Sequence, residues 1–126
     1  MVTAAQPGKR VLLVEDDCLL REMASLVLAG EGYRVATASN GKDAIHRLRH
    51  FERPNLILLD LMMPGMDGWQ FRQELKKDAN LASIPVVVVS AADDLEKEAS
   101  SLGAAAYLQK PVDGEKLIEA VRRCCQ

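Results

Sequence analysis

Four positions bring chemistry into this sequence. Glu15, Asp16 and Asp17 follow the apolar run 11–14, and Asp60 ends the run Asn55-Leu56-Ile57-Leu58-Leu59-Asp60. Ser90 follows a third run, 86–89, and Lys110-Pro111 follows a fourth short segment, 105–108. Acids, a hydroxyl and an ammonium gathered at one edge point to a metal-assisted phosphate site. There carboxylates hold a cation, and cation and ammonium neutralise phosphoryl oxygens.

The elements that must gather these groups form a repeating pattern. Runs 11–14 and 55–60 are too apolar and too short for alternating or helical patterns, so they read as buried parallel strands. Helix one covers 19–28, with Leu20, Met23 and Val27 at helical spacing, and Ala29-Gly30-Glu31-Gly32 stops it. Residues 33–38 alternate and read as strand two, at a sheet edge. Asn40 caps helix two, where Ala44, Leu48 and Phe51 share a face. Pro54 breaks the chain before strand three.

A loop over 61–67 holds Pro64 and Gly65. Helix three runs over 68–78 with Phe71 and Leu75 inward. Strand four is 85–89. Helix four covers 93–102, with Leu95, Ala99 and Leu102 as its inner stripe and Gly103 closing it. Strand five is 105–108. Asp113 caps helix five, whose inner face is Leu117, Ile118 and Val121. Five strand–helix units imply a (βα)5 α/β fold, a parallel sheet with helices on both faces. The flavodoxin-like order 2-1-3-4-5 sets strands one and three side by side at the switch point. Glu15, Asp16 and Asp60 then become neighbours.

Bulk properties exclude several classes. The 126 residues suit one domain with a real core, and 48% hydrophobic with 27% charged residues is an ordinary globular balance. A net charge of -2 argues against direct nucleic-acid binding through bulk electrostatics. No stretch is apolar enough for membrane insertion, and residues 1–8 lack a signal-peptide core. The expectation is a cytoplasmic protein: a tail over 1–9, one domain over 10–124, and no output domain. Cys18, Cys124 and Cys125 show no metal-ligand spacing. The adjacent pair could be bridged, and two reduced thiols near the C-terminus is the plainer reading.

On these residues the chain resembles the receiver domain of two-component response regulators, of the single-domain type. The match rests on Glu15-Asp16, Asp60, Pro64 and Gly68, Ser90, and Lys110-Pro111, in order and at the right strand ends. It covers nearly everything from 10 to 123. Each motif alone is weak; the five together are specific.

The resemblance implies a function. Asp60 is the phosphoacceptor, a nucleophile forming an aspartyl phosphate. Asp16 and Asp60 are direct metal ligands, Met62 adds its backbone carbonyl, and Glu15 acts through water. Oxygen-only ligands select a hard cation, Mg²⁺, with Mn²⁺ as a substitute. Lys110 neutralises charge on the transferring group and Ser90 donates to a phosphoryl oxygen. A cis Lys110–Pro111 bond is implied as well. Tyr107 matches the switch aromatic: Ser90 moves toward the phosphate, Tyr107 turns inward, and the helix four–strand five–helix five surface is remodelled for a downstream protein.

The implied phosphodonor is a histidine kinase or histidine phosphotransfer protein, docking on helix one near Arg21, Glu22 and Ser25. The implied state is a monomer or a weak phosphorylation-linked dimer. Met62 and Ala92, two places after Asp60 and Ser90, cannot orient an attacking water, so slow loss of the phosphoryl group is expected.

Plainer readings stand beside these. Lys110 and Ser90 taken singly are a surface lysine and a turn residue, Tyr107 an edge-strand aromatic, and Asp17 a helix cap. His46 and His50 lie four apart without a third ligand and read as solvated. A flavin module would need a Ser/Thr/Gly phosphate loop where Glu15-Asp16-Asp17 stands. An aspartate phosphohydrolase would need a second acid at position 62, which is Met, so sustained turnover is not expected. A receiver-like module working without phosphorylation, or a receiver cut from a hybrid kinase, remain alternatives.

Overall fold

The computed structural model describes residues 8–62 and 68–125. Its elements are β1 (Arg10–Val14), α1 (Cys18–Gly30), β2 (Arg34–Ala38), α2 (Gly41–His50), β3 (Leu56–Asp60), α3 (Gly68–Lys76), a single helical turn (Ala79–Ala82), β4 (Val86–Ser90), α4 (Leu95–Leu102), β5 (Ala106–Gln109) and α5 (Gly114–Cys124). The strands form one parallel sheet, as the alternation of strand and helix demands, in the order β2-β1-β3-β4-β5. This is the flavodoxin-like (βα)5 fold.

The sheet is covered on both faces because successive side chains of each strand point opposite ways. Leu12, Val14, Ile57 and Leu59 enter one layer, with Ala44, Leu48, Phe71, Leu75, Leu95 and Ala99 of α2, α3 and α4. Val11, Leu13, Leu58 and Val87 enter the other, with Leu28, Leu117 and Val121 of α1 and α5. All five residues of β3 are buried, which explains a run with no alternation. No helix among the described residues is long and apolar enough to cross a membrane.

Local signals set most element ends. Asp17 accepts from the Leu19 and Leu20 amides and so caps α1; Asn40 caps α2 and Asp113 caps α5 in the same way. Gly103 takes the left-handed conformation (φ 73°) that closes α4.

Several expectations need correction. Phe51 does not join Ala44 and Leu48 inside. Helix α2 ends at His50, Phe51 turns into extended backbone (φ -127°, ψ -177°), and its ring is 63% exposed. Ile118 is only half-buried, and Ala120 occupies the inner face of α5 beside Leu117 and Val121. In α1 the fully buried residue is Leu28, while Leu20 and Met23 are exposed and Val27 half-buried. Helix α3 stops two residues early because Asp78 leaves it to cap the turn Ala79–Ala82, accepting from the Asn80 amide at 2.9 Å. Helix α4 starts at Leu95 rather than 93, and β4 and β5 each sit one residue later than expected.

Candidate functional site

The carboxyl ends of β1, β3, β4 and β5 carry the sequence-selected groups, and hydrogen bonds beyond the strands fix them. The Glu15 amide donates to Ala38 O at 3.0 Å, Leu61 N to Val89 O at 3.2 Å, and Lys110 N to Ser90 O at 2.9 Å. The ladder therefore continues past each strand end and holds the following residue in register. The neighbouring positions of β1 and β3 bring the acids together: one carboxylate oxygen from each of Glu15, Asp16 and Asp60 lies within 4.8 Å of the others.

Burial separates the three. Asp60 is 3% exposed and Glu15 is also buried, whereas Asp16 opens to solvent. Lys110 Nζ stands 3.1 Å from Glu15 Oε1 and 3.3 Å from Asp60 Oδ2. The Lys110–Pro111 peptide is cis. Burial, joined by the hydrogen bond and charge of Asp60, pushes Glu15 up to about 7; the Asp17 amide and Lys110 oppose this. Burial alone would lower the Lys110 ammonium, but its contacts with Glu15 and Asp60 outweigh that and raise it. A lysine held charged against buried carboxylates is one sign of a functional centre.

Met62 donates its backbone N–H to Asp60 Oδ1 at 3.0 Å. Its side chain is largely exposed to solvent. Ser90 is buried, and its Oγ accepts from the Ala92 amide at 3.1 Å. Tyr107 is turned outward, 43% exposed, and donates its hydroxyl to Glu96 Oε1 at 3.2 Å. Pro64 and Gly65, part of the residue pattern that drew attention to this edge, lie outside the described residues. Gly68 packs so tightly on the site loop that a Cβ there would collide with Leu61 Cδ2.

Three contacts at the site are absent from the sequence reading, two of them made by residues to which it gave other roles. Arg21 turns back from α1, its guanidinium donating to Glu15 O at 2.8 Å and Asp16 O at 3.4 Å. A cation one turn into the helix after an acidic loop was the available signal. Glu15 Oε2 accepts from the Asp17 amide at 3.1 Å, so Asp17 both caps α1 and orients its neighbour. Glu96 as the partner of Tyr107 had no local signal. Arg21 and Ser25 are half-buried, so they do not lead the outer face of α1. That face is Leu19, Met23 and Leu26, each more than half exposed, with Glu22. Beside it a cleft of about 450 Å³ runs between α1 and α5, lined by Leu20, Met23, Val27, Pro111 and Leu117, and reaches Glu15 and Lys110.

Chemically, three carboxylates without nitrogen or sulfur donors suit a hard divalent cation. The acidic cluster fits such an ion, and the ammonium beside it suits an incoming anion.

Comparison with known proteins agrees with this geometry. The family model for the response regulator receiver domain matches residues 11–122. Protein PilH of Pseudomonas aeruginosa is 35% identical over 114 residues, 89% of this chain and 93% of that protein. The DNA-binding response regulator MtrA of Mycobacterium tuberculosis is 38% identical over 116 residues, 90% of this chain but 49% of MtrA. The chain thus spans nearly all of one relative and about half of the other. Among solved structures, the chemotaxis protein CheY4 of Vibrio cholerae superposes with a TM-score of 0.85 at 28% identity, covering 93% of this chain and 98% of CheY4. With five parallel strands in the order 2-1-3-4-5 and the acidic cluster at their carboxyl edge, this chain belongs to the response regulator receiver domain family.

Proposed function

We propose that this chain is a phosphoacceptor in two-component or phosphorelay signalling, with Asp60 taking the phosphoryl group. The observation that carries the reading is Asp60 itself: a buried carboxylate at a strand end, 3.3 Å from an ammonium and clustered with Glu15 and Asp16. A carboxylate so placed is held for attack, and the cations around it lower the charge barrier to an anionic donor.

In the transfer, an Asp60 oxygen forms a bond to phosphorus while the P–N bond of a donor phosphohistidine breaks. The imidazole leaves with the bonding pair. Lys110 draws negative charge from the phosphoryl oxygens, and Ser90 Oγ, released from the Ala92 amide, donates to one of them. Asp16, Asp60 and the Met62 carbonyl, with Glu15 through water, would hold Mg²⁺, which would supply further neutralisation of phosphoryl charge. With Met62 in place of a second acid, Asp60 is modified once rather than turned over, so the chain is a signalling switch and not an enzyme.

The donor is a histidine kinase or phosphotransfer protein. The apolar outer face of α1 and its cleft beside α5 support docking there, next to Lys110 and Glu15. Output runs through Tyr107. Its outward rotamer is held by Glu96, and an inward turn after Ser90 moves would remodel the α4–β5–α5 face for a downstream protein. Both states preexist and phosphorylation shifts their populations. Residues 10–124 act as the receiver unit, as a monomer or a weak phosphorylation-linked dimer.

The test is intact mass after incubation with acetyl phosphate and Mg²⁺, beside Asp60→Asn. A single Mg²⁺-dependent phosphoryl increment, absent from the variant, supports the reading. Mg²⁺ binding with no increment from acetyl phosphate or from a phosphorylated histidine donor would sink it in favour of a phosphorylation-independent module.

A further inference from the structure

We propose that the opposite end of the sheet carries a second ligand site, for a small flat-ringed monophosphate, in the cleft between β1, β2 and α2. The cleft has a volume of about 280 Å³, and Arg10, Arg34, Arg47, Val35, Leu48 and Phe51 are among its lining residues. Arg10 and Arg34 are register partners and the first residues of their strands, so the cleft sits at the amino edge, away from Glu15 and Asp60. Partners in parallel register project to one face. Here it is the face that sends Leu12 into the α2 layer.

Three guanidinium groups line the cleft against one carboxylate, Glu52. Glu52 pairs with Arg10 at 3.1 Å. The Arg34 side chain has no hydrogen bond or ion pair among the described residues. Arg47 stands 5.6 Å over the Phe51 ring, and its Nε is buried without an acceptor. A buried unpaired donor and an exposed aromatic ring both raise the free energy of the empty cleft. The chain as a whole is net negative, so this excess of arginine is local.

One ligand chemistry answers both the Arg34 fork and the exposed Phe51 ring. A phosphate accepts bidentately from the fork of Arg34, while Arg10, whose Nη1 pairs with Glu52 and whose Nε donates to Arg53 O at 3.4 Å, adds positive charge beside it. A flat ring covers Phe51 and stacks on Arg47. The volume of about 280 Å³ lies just below the roughly 300–1,000 Å³ usual for small-molecule sites, which limits the ligand to about one ring and one phosphate. The site is independent of the Asp60 reading.

The experiment is a ¹⁵N–¹H correlation titration of the full chain with phenyl phosphate, in chelator and without a phosphodonor. Expected are saturable shifts centred on Val35, Leu48 and Phe51, with Kd of about 1 mM or tighter. Arg34→Gln should weaken binding about tenfold, the loss expected for a charge-assisted hydrogen bond, and Arg47→Gln should weaken it through the lost cation–π stack. Arg34→Lys should weaken it less. Phe51→Ala removes the ring without touching charge and should also weaken it, and inorganic phosphate alone should bind more weakly than the aryl ester. The spectra themselves report whether each variant is folded. Shifts that never saturate, shifts centred on Glu15 and Lys110, or equal binding by the arginine and Phe51 variants would each overturn the site. None of these outcomes touches the phosphoacceptor reading, because no Mg²⁺ or phosphodonor is present.

Discussion

Lys110 Nζ reaches Glu15 Oε1 at 3.1 Å, a contact between the first and last strand ends of the acidic edge and one that the chain's own spacing never shows. The same ammonium lies 3.3 Å from Asp60. One cation therefore serves two buried carboxylates, and Asp16 adds a third charge within reach.

The first consequence concerns pH. Burial and Asp60 raise Glu15 to about 7 from an ordinary value of 4.5. The folded state then holds a proton that the unfolded state gives up. Between about pH 4.5 and 7 the native form binds more protons, so stability without a divalent ion falls as pH rises through that window. The raised Lys110 adds stability that is fully present there and is lost only in alkali. Urea unfolding in chelator at pH 5 and pH 8 should show the decline, and Glu15→Gln should flatten it. An equal decline in both proteins would show that Glu15 is not the source.

Removing the ammonium should make the ion more important. Lys110→Ala leaves Glu15 and Asp60 facing each other with no cation. A cost of about 1–3 kcal/mol is expected at neutral pH, below the full penalty for a buried pair because Lys110 is partly solvated. Mg²⁺ should restore more stability to this variant than to the parent chain. Chemical denaturation with and without Mg²⁺ measures the difference, and equal gains would contradict the arrangement.

Gly68 is a steric prediction. A methyl group there meets the buried Leu61 side chain, which must shift within a filled layer. Gly68→Ala should cost about 1–3 kcal/mol, the usual range for overpacking. Combined with Leu61→Ala it should cost less than the two single changes together, because the shortened side chain clears the collision. Strict additivity in the double-mutant cycle would show that the two residues do not press on each other.

Tyr107 and Glu96 test the switch. The hydrogen bond to the Glu96 carboxylate, with its charge, raises the Tyr107 hydroxyl above its ordinary range. Glu96→Gln should bring it back down while leaving Tyr33, whose raised value comes first from burial, where it is. Site-resolved NMR titration of the two rings separates them. The same variant should increase inward Tyr107 orientations, read from contacts between its ring and Ser90 or Ala92. An unchanged ring would mean that Glu96 does not hold the outward state.

The last prediction concerns lifetime. Met62 presents its side chain to solvent and offers no group to orient water near Asp60. Met62→Asn should shorten the phosphoryl lifetime several-fold, since a positioned polar group assists proton transfer from the attacking water. Decay of label in a Mg²⁺ chase measures it, and unchanged decay would place control elsewhere.

The ends of β1 and β3 were legible in the sequence because these two buried parallel strands are continuous apolar runs that stop at acids. The caps Asp17, Asn40 and Asp113 were legible because capping is local chemistry. From the alternation of elements followed a parallel sheet, and the flavodoxin-like order chosen for it brought Glu15, Asp16 and Asp60 together. Periodicity could not say which face of α1 meets the sheet. Apolar residues at 19, 20, 23, 26, 27 and 28 cover more than one side, and only packing against α5 and the strands left Leu19, Met23 and Leu26 outside. Phe51 looked like a core residue by spacing, but the helix ended one position earlier and changed its direction. The Lys110 contacts, the Tyr107–Glu96 bond and the Arg10–Arg34 pairing join residues far apart in the chain. Local spacing encodes which residues share a face, while the register and rotation of packed elements decide which of those faces meet.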